Sequence, residues 1–84
     1  MRVYVQQGHR YSAMVRVTGW KSGFATADKV RDFFEDEGFA VERCDRAPDD
    51  GQGGRLFAGT AVRRDASDWV DDDRIVSFQD LGPA

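Results

Sequence analysis

Thr26-Ala27-Asp28-Lys29-Val30-Arg31-Asp32-Phe33-Phe34-Glu35-Asp36-Glu37-Gly38 is the stretch from which the rest of the chain is read. Ala27, Val30, Phe33 and Phe34 recur at the spacing that lines one side of a helix. Thr26 suits an N-cap, Asp28 is favourable in the first turn, and Gly38 closes the end. A helix over about 26–37 follows, and its apolar side needs a surface to cover.

Period-two segments on both sides of this helix supply that surface. Val3 and Val5 alternate with Arg2, Tyr4 and Gln6, while Tyr11, Ala13, Val15 and Val17 alternate with Arg10, Ser12, Met14, Arg16 and Thr18. Both read as half-buried strands, and the short Gly8-His9 link favours an antiparallel hairpin between them. Phe39–Cys44 and Arg55–Arg63 read as two further strands around the glycine-rich segment 48–54, which is expected to be a flexible loop. Residues 67–71 allow one helical turn, and Arg74–Phe78 a last short strand. The Gly19–Phe24 connection holds Trp20, Lys21 and Phe24, expected as core lids or contact residues. Residues 82–84 are expected to fray.

The expected architecture is a single α+β domain over 1–84, a mainly antiparallel sheet of four to five strands with one principal helix on one face. Residues 11–78 also fit a degenerate ferredoxin-like unit whose second helix has collapsed. Eighty-four residues bury only roughly 60–65% of their unfolded surface, which argues against a deep substrate cleft. An apolar fraction of 40% with six Phe is nevertheless too high for a disordered chain of this charge. Cys44 is the only cysteine, so no internal disulfide forms and a reducing, cytoplasmic setting is expected. No secretory leader or membrane span is apparent.

Charge is segregated along the chain. Residues 1–27 hold Arg2, Arg10, Arg16 and Lys21 and no carboxylate; the remainder holds eight cations against all fifteen carboxylates, for a net charge of −3. Asp28, Asp32 and Asp36 fall at i, i+4 and i+8, with Glu35 and Glu37 beside them. Like charges so spaced destabilise a helix by about 0.2–0.5 kcal/mol per pair, and carboxylates in its last turn oppose the macrodipole. Lys29 and Arg31 are placed to pair with Asp32 and Glu35 on a solvated face; the alternative is a docking face for a basic partner. Asp71, Asp72 and Asp73, with Asp65 and Asp68, form a second acidic group around Trp69-Val70. One helical stripe is too sparse to imitate duplex DNA, since its carboxylates are spaced about 6 Å apart against one phosphate charge per roughly 1.7 Å.

Setting the aliphatic strand positions against the helix sends Arg2, Tyr4, Arg10, Met14, Arg16, Glu42, Arg46, Arg55, Phe57 and Arg63 to the other sheet face. Arg2, Tyr4, Arg16, Arg55 and Phe57 would there make a basic, aromatic surface suited to single-stranded nucleic acid. The sequence offers no catalytic machinery to compete with a binding role. There is one histidine, His9, at a predicted turn, and no Gly-x-Ser-x-Gly. Gly51–Arg55 lacks the Lys-Ser/Thr ending of a phosphate loop and precedes a strand instead of a helix. The Asp71–Asp73 run lacks the alternation of a calcium loop, so neither metal nor cofactor is expected.

In size, acidity and absence of catalytic residues the chain resembles the small phage-encoded inhibitors that include anti-CRISPR proteins. That resemblance implies a stoichiometric blocker, with Asp28, Asp32, Glu35, Asp36 and Asp71–Asp73 occupying a basic surface of a nucleic-acid-handling complex. The alternatives are a nucleic-acid-binding module using the basic sheet face and a subunit that self-associates through an open sheet edge, as monomer or homodimer.

Overall fold

The computed structural model describes residues 1–19 and 26–84; Trp20, Lys21 and Phe24 lie outside the described residues. The helix, α1, runs Ala27–Asp36. Thr26 Oγ1 accepts the Lys29 N–H at 3.3 Å, Asp28 sits in the first turn, and the chain leaves through Gly38 at φ +94°. A side chain at Gly38 would also run into the Asp65 carboxylate. Both conditions select glycine there. Val30 and Phe34 are buried, with Ala27 and Phe33 packed beside them.

Six strands accompany α1: β1 Arg2–Val5, β2 His9–Val17, β3 Phe39–Arg46, β4 Arg55–Arg63, β5 Asp68–Asp71 and β6 Ile75–Pro83. The α+β class holds, but the strands divide into two sheets. Four make a fully antiparallel sheet in the order β3-β4-β2-β6, and β1 pairs with β5 in a separate antiparallel ribbon.

Three expectations are therefore corrected. First, the turn at Gly8 exists, with His9 N–H donating to the Gln6 carbonyl at 3.3 Å, but it does not join a hairpin. Val3 and Val5 instead turn inward over the main sheet and join its core, which leaves β1's backbone to find another partner. Second, within 67–71 the residues Asp68–Asp71 form a strand and not a helical turn. Trp69 and Val70 favour extended backbone, and four residues are too few for a helix to repay its nucleation. Val70 sits opposite Val3. Third, the last strand is longer than Arg74–Phe78: β6 continues to Pro83, and the Ala84 N–H donates to the Gly8 carbonyl at 2.8 Å.

Directly opposed residues share a face, so register assigns the core. Val15 opposes Phe57, Ala13 opposes Gly59 and Tyr11 opposes Ala61 on the face that α1 covers. A chain of rings crosses this face: Phe33–Phe34 at 5.2 Å, Phe34–Phe39 at 5.7 Å, Phe39–Tyr11 at 6.2 Å and Tyr11–Phe78 at 4.9 Å between centroids. The ribbon's Val5 and Val70 belong to the same core. Helix and ribbon thus lie side by side in one layer over one side of the sheet. Beneath them, β3 approaches β4 so closely at Gly59 that a β-carbon would strike the Arg43 carbonyl.

Phe39→Ala should cost about 3–5 kcal/mol, a large share of the roughly 5–15 kcal/mol that holds such a domain together. Gly59→Ala should also be severely destabilising, although it adds only a methyl. Urea denaturation followed by circular dichroism reads both; native-like midpoints for either would contradict this packing.

Candidate functional site

The outer face of the main sheet carries Arg10, Ser12, Met14 and Arg16 of β2 opposite Val62, Thr60, Ala58 and Leu56 of β4. Its cations are engaged. Arg10 donates to both Glu42 oxygens at 2.8 and 3.1 Å. Arg16 donates to both Asp50 oxygens at 3.0 and 2.5 Å and to the Gly53 carbonyl at 2.6 Å. Arg43 donates to Asp45 at 2.6 Å. These fork-to-carboxylate bonds neutralise the face locally.

The basic, aromatic surface expected here is not assembled. Phe57 is 2% exposed because it opposes Val15 on the helix side, and Arg55, two residues before it, shares that side. Arg63 is also buried, and Arg46 lies over the Phe57 ring at 5.8 Å. Leu56 takes the outward position, buried beside Arg16 where the 47–54 segment folds back. Arg2 and Tyr4 lie on the ribbon, apart from Arg16.

On the other side of the molecule, Asp28, Asp32 and Asp36 are exposed along the stripe of α1 opposite Val30 and Phe34. None of the three forms an ion pair among the described residues. Glu35 is half-buried, with Arg64 Nη2 at 3.6 Å. Asp72 is structural. Its carboxylate accepts from Arg74 Nη2 at 2.6 Å and from the Arg74 backbone at 2.8 Å, and its carbonyl accepts from the Met1 amino group at 2.9 Å. The hydrogen bonds from Arg74 hold the Asp72 carboxyl below the usual range despite partial burial. The Arg74 guanidinium in turn lies 5.0 Å from the Phe33 ring, which brings the acidic turn against α1. Asp71 and Asp73 remain exposed.

The ribbon adds a feature that the sequence reading placed only in part. Tyr4 and Trp69 are 52% and 51% exposed, directly opposed in register, with ring centroids 5.2 Å apart and edge-to-face. Arg2 lies 4.6 Å from the Trp69 centroid. The signal for Trp69 is present in the alternation: Val70 goes inward with Val3, so Trp69 and Asp71 go outward with Tyr4 and Arg2.

Groups capable of chemistry elsewhere are tied into the fold. His9 Nδ1 lies 2.9 Å from the Asp80 carboxylate. Cys44 donates to the Ala27 carbonyl at 3.5 Å, and burial pushes its thiol up, which keeps it protonated and weakly nucleophilic. An apolar cavity of about 30 Å³ between α1 and the sheet, lined by Val30, Phe34, Cys44 and Phe57, has room for about a water or two. Among the described residues, no group of three His, Cys, Asp or Glu side chains is arranged to hold a metal ion, and no helix is long and apolar enough to cross a membrane. The chain matches no protein-family model, no curated protein and no solved structure.

Asp50 provides a test of the sheet-face pairing. Its pKa falls from 3.8 to about 2, chiefly through the Arg16 hydrogen bond and then the Gln52 N–H. A carboxyl depressed in the folded state contributes stability above its unfolded pKa and loses it as pH falls through the folded one. Stability should therefore decline as pH drops from 3.8 towards about 2, with Asp72 and Asp80 acting in the same direction. Carboxyl NMR titration should place Asp50 near 2 and return it towards 3.8 in Arg16→Gln; an ordinary value in the native chain would refute the clamp.

Proposed function

We propose that this chain is a non-enzymatic binding protein that docks through the outward face of α1 on a basic surface of a nucleic-acid-handling protein. One observation carries the reading: Asp28, Asp32 and Asp36 stand exposed and without a cationic partner among the described residues, while Arg10, Arg16 and Arg43 across the molecule are each held by a carboxylate. The like-charge spacing of Asp28, Asp32 and Asp36 costs helix stability. A cationic surface laid on the stripe removes that cost, and the field of the stripe accelerates the encounter.

The small phage-encoded inhibitors, anti-CRISPR proteins among them, exemplify this mode of action: a compact acidic chain that blocks a nucleic-acid-binding surface by occupying it. The order β3-β4-β2-β6, with α1 connecting β2 to β3 across β4, supports reading the main sheet as a ferredoxin-like unit in which the ribbon takes the place of a second helix. A second reading, self-association, is favoured by β6, an edge strand with Val76 and Leu81 exposed. Binding of single-stranded nucleic acid on the sheet loses its support with the burial of Phe57 and the pairing of Arg16.

The double substitution Asp32→Lys, Asp36→Lys should weaken binding to an arginine-rich peptide by at least roughly tenfold. Circular dichroism and melting should stay near native, because exposed substitutions typically change stability by under about 0.5 kcal/mol. Unchanged affinity in a folded double variant would overturn the reading.

A further inference from the structure

We infer that Tyr4 and Trp69 on the β1–β5 ribbon form the anchor of this docking surface and take an arginine side chain from a basic protein partner. The inference rests on the α1 docking reading and adds to it the partner chemistry and the contact that selects it.

Position comes first. The ribbon buries Val3, Val5 and Val70 in the core that also receives Val30 and Phe34 of α1, so ribbon and helix shield the same side of the main sheet. Arg74, between Asp72 and Phe33, closes the join between them. The carboxylates of α1 and the ring pair of the ribbon therefore stand on adjoining elements.

Exposure is the second argument. Two large rings each left half in water, meeting edge-to-face at 5.2 Å, are a conspicuous apolar feature on a small domain. Trp and Tyr are the residues most enriched among interface anchors. The main sheet does not need them, since Val3, Val5 and Val70 already supply the ribbon's inward contacts.

Chemistry selects the occupant. The Trp69 ring already carries a guanidinium, that of Arg2 at 4.6 Å, so it accepts a planar cation, and an incoming arginine stacks in the place of Arg2. Along the ribbon, Asp68, Asp71 and exposed Asp73 outnumber Arg2 and the Met1 amino group. Carboxylates around an aromatic face favour a cation stacked on the ring and repel a phosphate backbone. Arginine fits better than lysine, because its guanidinium is planar, stacks on aromatic rings and gives up its hydration more readily.

The experiment is a fluorescence-anisotropy titration of the intact chain with labelled arginine-rich and charge-matched lysine-rich peptides, and with single-stranded RNA. Trp69→Thr and Tyr4→Thr serve as variants, since threonine keeps strand propensity at exposed positions. The native chain should prefer the arginine-rich peptide, and Trp69→Thr should lose roughly tenfold on it while losing little on the lysine-rich one. A folded Trp69→Thr that keeps the arginine preference would overturn the inference and leave the α1 reading standing. Loss of binding in Asp32→Lys, Asp36→Lys reports on α1 alone, because that variant retains both rings. Tighter binding of RNA than of either peptide, abolished in Trp69→Thr, would also overturn the inference by making the rings a platform for bases.

Discussion

Phe39 is the residue on which the arrangement of the other elements depends. It is 1% exposed and opens β3 immediately after the helix exit, so its burial fixes where α1 ends over the sheet. Phe34 packs its ring edge-to-face on one side and Tyr11 on another. Arg63, directly opposite in β4, lies 4.9 Å from the Phe39 ring centroid and donates to the Glu37 carbonyl at the end of α1. A cation at that terminus complements the helix dipole. The cost is a buried Arg63 Nε with no partner among the described residues, offset by the ring and the carbonyl. Tyr11 carries the constraint onward: its hydroxyl accepts the Gln6 N–H at 2.6 Å, which sets where the chain leaves β2 for the ribbon. The layer that presents both α1 and the Tyr4–Trp69 pair is thus referred back to one ring.

The parts legible in the sequence were those decided by neighbouring residues. Thr26, Asp28, the apolar spacing of Val30 and Phe34, and Gly38 specify α1 locally, and α1 forms where they place it. Strand β4 matches the apolar run 55–63. The parts not legible depend on distant pairing. In β4, Leu56 and Phe57 are both apolar, so alternation does not say which faces α1; register with Val15 decides it, and with it the fate of the basic face. Similarly, nothing in residues 1–9 reveals that β1 bypasses β2 for a strand more than sixty positions away. A short glycine turn is equally compatible with a hairpin and with a change of layer.

The surface that results is divided by charge use more than by charge count. On the sheet side, Arg10, Arg16 and Arg43 meet Glu42, Asp50 and Asp45, and the opposing fields cancel within a few ångströms. On the layer side, Asp72 is consumed by Arg74 and the Met1 amino group, whereas Asp28, Asp32 and Asp36 are left unmatched among the described residues. Of the N-terminal cations, Arg10 and Arg16 are thus taken up by carboxylates of the sheet side. Asp28, Asp32 and Asp36 are unpaired carboxylates of the layer side among the described residues, and the exposed Tyr4–Trp69 pair belongs to the ribbon that shares the core of α1.

The most direct test of this account is a map of amide chemical-shift changes as an arginine-rich peptide is added to isotope-labelled protein. The account expects the largest changes over residues 28–36 of α1 and residues 2–5 and 68–73 of the ribbon, with the sheet's outer face silent. Changes concentrated on residues 10–16, 58–62 and 77–81 would instead place recognition on the opposite face and contradict it.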